Sequence, residues 1–118
     1  EVRVIILDNK CFVKSIVTVS LGATNKSAVS MKEVLAEPIK QLATSIILVH
    51  NHPSGDTTPS RQDIILTRKI CDYANMFEIK LFDHVIVGKS GYTSVKETNS
   101  EIFLGGKLIW NLWRKTLE

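Results

Sequence analysis

At 118 residues, 44% hydrophobic and 23% charged, the chain has the size and composition of one ordinary globular domain, which excludes a disordered chain and leaves no room for two large cores. Its longest apolar runs, 2–7 and 46–49, fall far short of the ~20 residues a membrane-spanning helix needs, and no stretch has signal-peptide organisation, so no membrane and a cytoplasmic location are expected. The net charge of +3 comes from fifteen Lys and Arg scattered along the chain with only two adjacent pairs, 68–69 and 114–115, which is weak support for a nucleic-acid partner.

The first element expected is a strand over 2–7, β-branched and apolar on both alternating faces, as suits a strand covered on each side. A turn at Asp8-Asn9-Lys10 leads into a Val-, Ile- and Thr-rich stretch, Phe12 to Val19, which pairs with the first strand as a hairpin before a loop at Gly22. Ser30-Met31-Lys32-Glu33 has capping-box spacing, and Val34, Leu35, Ile39 and Leu42 follow at helical intervals, so a helix is expected over 31–43. Pro38 predicts a kink or an early end to it.

Ser45 to Val49 is a continuous apolar run of strand length that delivers His50-Asn51-His52-Pro53-Ser54-Gly55 into a loop. Ser60-Arg61-Gln62-Asp63, after Pro59, opens a second helix with Ile64, Thr67, Ile70, Cys71 and Ala74 on one face. A strand over 79–87, a turn at 88–91 and a short returning strand from Tyr92 to Val95 complete a β-β-α-β-α-β-β order. That is the order of an α/β sandwich with helices packed on a mixed sheet. Lys96 to Ser100 reads as a linker, and Leu108, Ile109, Leu112 and Trp113 beyond it form an amphipathic stripe, expected to pack on the domain or to serve as a homo-oligomer surface. The domain is thus assigned to 1–97 and a tail to 98–118. Cys11 and Cys71 have no close C-x-x-C partner and are expected to be reduced thiols.

The chemistry concentrates around the two histidines. Two residues apart at a strand end, His50 and His52 can point the same way at a Cα spacing of ~6 to 7 Å and share one ion. A bare His-x-His more often marks ordinary structural residues, but Asp63, in the first turn of the next helix, can fold back over the loop with an oxygen ligand. Its other reading is the acid of that helix's capping box. Three ligands of His, His, Asp type leave the fourth tetrahedral position of Zn2+ to water, the pattern of a catalytic site. Such water has its pKa lowered from ~15.7 toward ~7. Ser60 is a candidate donor to a developing oxyanion and equally a plain N-cap.

His50-Asn51-His52, seven residues, then Ser60-Arg61-Gln62-Asp63 resembles the JAMM motif throughout its spacing. The wording His-Asn-His-Pro-Ser-Gly, with Asp83-His84-Val85-Ile86-Val87-Gly88 further on, is similar to the RadC family, the so-called DNA repair proteins, over about residues 1–95. The resemblance implies a cytidine-deaminase-like three-layer α/β sandwich and a zinc-dependent hydrolase of peptide or isopeptide-like amides. It implies His50, His52 and Asp63 as zinc ligands, Ser60 as the residue that steadies the reacting oxygen, and an upstream glutamate, Glu1, as general acid/base. Glu33 and Glu37 are the alternatives for that last role, and the native chain is expected to continue upstream of Glu1. Asp83 and His84 are read as structural, bonding a neighbouring loop, and are left out of the ligand set. The competing function is an accessory module that keeps zinc and acts through protein or DNA contacts. Nucleobase deamination is disfavoured, since the Pro-Cys-x-x-Cys ligands it uses do not occur.

Overall fold

A computed structural model describes residues 1–19, 29–104 and 114–115. Five strands and two long helices account for most of them: β1 (Val2–Leu7), β2 (Val13–Val19), α1 (Met31–Lys40), β3 (Ser45–Asn51), α2 (Arg61–Met76), β4 (Lys80–Gly88) and β5 (Gly91–Ser94), followed by a single helical turn, α3 (Val95–Thr98), and a 3-10 helix over Ser100–Leu104. The strands form one mixed sheet in the order β2-β1-β3-β4-β5, in which only β3 and β4 run parallel. The expected α/β architecture, a mixed sheet with helices packed on it, is the one observed. No described helix is long and apolar enough to cross a membrane.

The hairpin forms as its sequence predicts. Asp8 closes the turn, its side chain accepting hydrogen bonds from the backbone N–H groups of Lys10 and Phe12. On one sheet face Val4 stands opposite Leu48 and Ile6 opposite Ile46, and these four side chains are fully buried against Val34 and Leu35 of α1 and Ile70, Cys71 and Ala74 of α2. Burying each such aliphatic side chain contributes about 1.5–3 kcal/mol. The crossover from β3 to the parallel β4 is made by α2, which therefore lies across the sheet and brings its first turn to the C-terminal end of β3.

Three local expectations are corrected. Ser30 is the N-cap of α1, but its side chain makes no capping bond, so the capping box with Glu33 does not form. That helix runs through Pro38 and stops at Lys40, where Leu42 turns to φ +53° and the Leu42 and Ala43 N–H groups donate back to the Ile39 and Pro38 carbonyls. Residues 96–100 are not a linker: Val95 starts a helical turn and is fully buried, Ile102 is buried beside it in the core, and Asp83 ties the segment down by accepting from the Ser94 hydroxyl and the Lys96 N–H. The apolar stripe at Leu108, Ile109, Leu112 and Trp113 lies outside the described residues.

Candidate metal centre

The site is built where β3 ends. Its alternation sends the His50 side chain to the same face as Leu48 and Ile46, opposite Val2 of β1. The following loop is fastened to the sheet by the His52 N–H donating to the Val87 carbonyl, 3.0 Å, and by a 2.7 Å hydrogen bond between the Thr57 and Thr93 hydroxyls. Gly55 adopts φ +86° within it, a conformation that glycine takes without steric cost. Gly88 lets β4 pass beneath: a Cβ there would stand 2.6 Å from the Gly55 carbonyl oxygen.

From the opposite side, the first turn of α2 presents Asp63. The capping box is complete: the Ser60 hydroxyl accepts from the Asp63 N–H at 3.1 Å, and the Asp63 Oδ2 accepts from the Ser60 N–H at 2.8 Å. The two readings of Asp63 are therefore not alternatives, because the same carboxylate also meets both histidines. His50 Nδ1 lies 3.1 Å from Oδ1, and His52 Nε2 lies 2.9 Å from Oδ2. The Asp63 residue is only 3% exposed. Burial by itself would raise its carboxyl, but hydrogen bonds from the Ser60 backbone and hydroxyl, together with the two imidazoles, outweigh that and hold it below the usual carboxylate value.

His52 carries the most informative detail. Its Nδ1 stands 2.8 Å from the Asp56 backbone carbonyl, an oxygen that only accepts, so Nδ1 bears the proton. In the neutral ring Nε2 then has a lone pair and faces an ionised carboxylate oxygen. Two acceptors are held at 2.9 Å only if a second proton or a cation lies with them. A backbone carbonyl fixing the far nitrogen is the usual support of a metal-ligating histidine. The two His–Asp contacts fall on different oxygens of the carboxylate, and the donors that come within 4.8 Å of one another are those of His50, Asp63 and His84, with His52 meeting the same carboxylate from the loop. The donor set, two imidazoles and a carboxylate, thus fits a divalent metal ion.

The third histidine of the chain, His84 on β4, read from the sequence as structural, also reaches this place. A β-bulge is responsible: Ile46 pairs with Leu81, but Ile47 pairs with Asp83 and Leu48 with His84, so Phe82 is an extra residue and the strand changes phase. His84 consequently turns to the inner face, where it is 0% exposed and stacks on His50 with ring centroids 6.1 Å apart. His50, Asp63 and His84 each offer a donor atom within 4.8 Å of the other two. Burial presses His84 down to about 4, although the Asp63 carboxylate opposes it, and burial likewise lowers His50, with Asp63 offsetting only part. Asp83, by contrast, has the structural role expected of it, at the start of α3.

Glu1 is placed differently. Its backbone carbonyl accepts from the Asn51 N–H, 3.2 Å, between the two histidines, but its side chain is half exposed and pairs with Arg3 at 3.4 Å. It is not hydrogen-bonded to His50, His52 or Asp63. Glu37 accepts from Gln41 within α1, and Glu33 is exposed on that helix.

Comparison with known proteins places the chain in a family. A family described as the RadC-like JAB domain matches residues 1–100. Among curated relatives, a UPF0758 protein of Moorella thermoacetica is 43% identical over 97 residues, covering 82% of this chain and 42% of the relative. Another from Caldanaerobacter subterraneus is 45% identical over 95 residues, covering 80% and 41%, and one from Clostridium novyi is 44% identical over 99, covering 84% and 43%. The chain therefore spans less than half the length of these relatives. With its match to the family over all but the last part of its length, the chain belongs to the RadC-like JAB domain family.

Proposed function

We propose that the domain is a zinc-dependent hydrolase of the JAMM type, with the ion held by His50, His52 and Asp63 and a peptide or isopeptide-like amide as substrate. The observation that carries this reading is His52 Nε2 turned on the buried Asp63 carboxylate at 2.9 Å with its other nitrogen committed to Asp56, an arrangement that needs a positive charge between them and that a metal ion would supply. A zinc ion bound there supplies acidified water and an electrophile for a carbonyl oxygen. The remaining work falls to side chains. Ser60 holds Asp63 in place from the N-cap and offers its hydroxyl to an oxygen that gains charge. Glu1, whose backbone is joined to Asn51, serves as general acid/base once its carboxylate leaves Arg3, taking a proton on one side of the reaction and returning it to the leaving amine.

A second reading, a zinc-containing accessory or binding module in DNA repair or recombination, is favoured by one observation. A third imidazole, that of His84, lies against the cluster, and a fourth protein ligand is the mark of a closed, structural zinc site. Turnover of a peptide and isopeptide library by zinc-loaded protein decides between the two. The hydrolase reading expects cleavage that is lost in His52→Ala and lowered ~100 to 10,000-fold in Glu1→Gln. Zinc binding without cleavage of any amide would leave the accessory module standing.

A further inference from the structure

We propose that His84 is a further nitrogen donor to the same ion, through Nε2, so that three imidazoles and one carboxylate surround it. The inference rests on the reading of the cluster as a metal site, and it does not depend on hydrolysis.

The hydrogen bonds around His84 determine which nitrogen is available. The Thr67 hydroxyl lies 2.7 Å from the Asp63 carbonyl oxygen, and there the hydroxyl must donate, since a carbonyl only accepts. Its single proton being used, the same oxygen can only accept from His84 Nδ1, 2.6 Å away. Nδ1 of His84 is therefore protonated and Nε2 carries the lone pair. Among the described residues, Nε2 is the one buried side-chain polar atom without a hydrogen-bond partner. Leaving such an atom unpaired costs about 1–3 kcal/mol, a cost that a metal ligand or a hydrogen-bonding group would remove. His84 Nε2 is thus a lone pair in a fixed ring, in a cluster whose other donors are His50 and Asp63.

The support of the ring has the form found behind metal-binding histidines, in which the nitrogen away from the ion is fixed by a neighbouring oxygen. Here the fixing residue is one turn of α2 after Asp63, so ligand and support come from the same helix. The β-bulge at Phe82 has a use on this account. Without the extra residue, Asp83 and not His84 would face inward opposite Leu48. His50, His84 and Asp63 would then hold the ion from the sheet and the helix, with His52 reaching the same carboxylate from the loop.

The test uses wild-type protein labelled with 15N-histidine and followed by long-range proton–nitrogen NMR as Zn2+ is added. The chain has three histidines, so His50→Ala and His52→Ala spectra assign the signals. The expected result is that the His84 Nε2 resonance leaves the lone-pair range together with those of the two loop histidines, while its Nδ1–H persists. In parallel, His84→Gln should bind Zn2+ at least tenfold more weakly in competition with a chromophoric chelator. A folded Thr67→Val protein, with the ring's support removed and every ligand present, should show a smaller loss. If zinc binds and the two loop histidines respond while His84 Nε2 does not move, this inference is overturned and the metal site stands. If wild-type protein binds no Zn2+, both are overturned.

Discussion

His52 and Asp63 face one another at 2.9 Å, an imidazole Nε2 against a carboxylate oxygen, while the ring's Nδ1 is committed to the Asp56 carbonyl. Such a contact holds only with something positive between the two atoms, a second proton on the ring or a cation. Asp63 answers to two demands at once, since the oxygen that meets His52 also accepts the Ser60 N–H.

The two duties of Asp63 are separable by substitution. Asp63→Asn retains an oxygen for the Ser60 N–H but gives up the charge, whereas Asp63→Ala loses both. In chelator, Asp63→Ala should lose about 0.3–1 kcal/mol with the acid of the first helical turn, the Ser60 cap remaining, and Asp63→Asn should keep the bond to the Ser60 N–H. Zinc should raise the melting temperature of wild-type protein by mass action and should raise neither variant's appreciably. A full zinc-dependent rise in Asp63→Asn, measured by calorimetry, would remove Asp63 from the ligand set.

Gly88 sets the height of the metal loop above the sheet. With a Cβ 2.6 Å from the Gly55 carbonyl and 2.8 Å from the Thr57 methyl, Gly88→Ala must displace backbone as well as side chain. The expected outcome is a fall of about tenfold in zinc affinity, of the size seen when supports around a metal site are disturbed, with far-UV circular dichroism unchanged. Equal affinity by chelator competition would mean that the loop's placement does not matter to the ion.

How far the site was legible depends on distance along the chain. The Ser60–Asp63 pair and the His50–His52 pair are local spacings, and a strand followed by a helix sets both. The strand from Ser45 was legible as a continuous apolar run because it is buried between two neighbours. His84 was not legible, since its inward turn depends on a bulge opposite Ile46 and Ile47, and no alternation pattern announces an inserted residue. The helical turn at Val95–Thr98 was hidden for the complementary reason: its local sequence looks like a linker, and the burial of Val95 in the core decided otherwise.

Acid should weaken the metal-free protein over a defined range. The His84 pKa falls from an ordinary 6.5 to about 4 in the folded state, so below pH 6.5 the unfolded chain binds a proton that the folded chain refuses. Stability present above pH 6.5 is therefore lost as pH falls through about 4. The loss approaches about 3 kcal/mol for this ring at full effect, at ~1.36 kcal/mol for each pH unit of separation. His50, also lowered, acts in the same direction. Urea unfolding in chelator at pH 7 and pH 4.5 checks the sign; greater stability at pH 4.5 would contradict the burial of neutral His84.

The two thiols should differ sharply. Cys71 is buried, and that burial, with Asp72 nearby, raises its pKa to about 11, which suppresses the thiolate that reacts. Cys11 is exposed. Native protein at pH 8 should take up one equivalent of iodoacetamide at Cys11, and the second only after denaturation. Rapid double labelling of native protein, read by mass spectrometry, would show that α2 opens far more readily than its packing implies.

The central claim, that a cation belongs between the loop histidines and Asp63, is tested most directly by elemental analysis of protein reconstituted with zinc and passed through a desalting column. Wild-type protein should retain one zinc per chain, and His50→Ala and His52→Ala should each retain little of it while remaining folded. Retention of a full equivalent by both variants, or none by wild-type protein, would contradict the account.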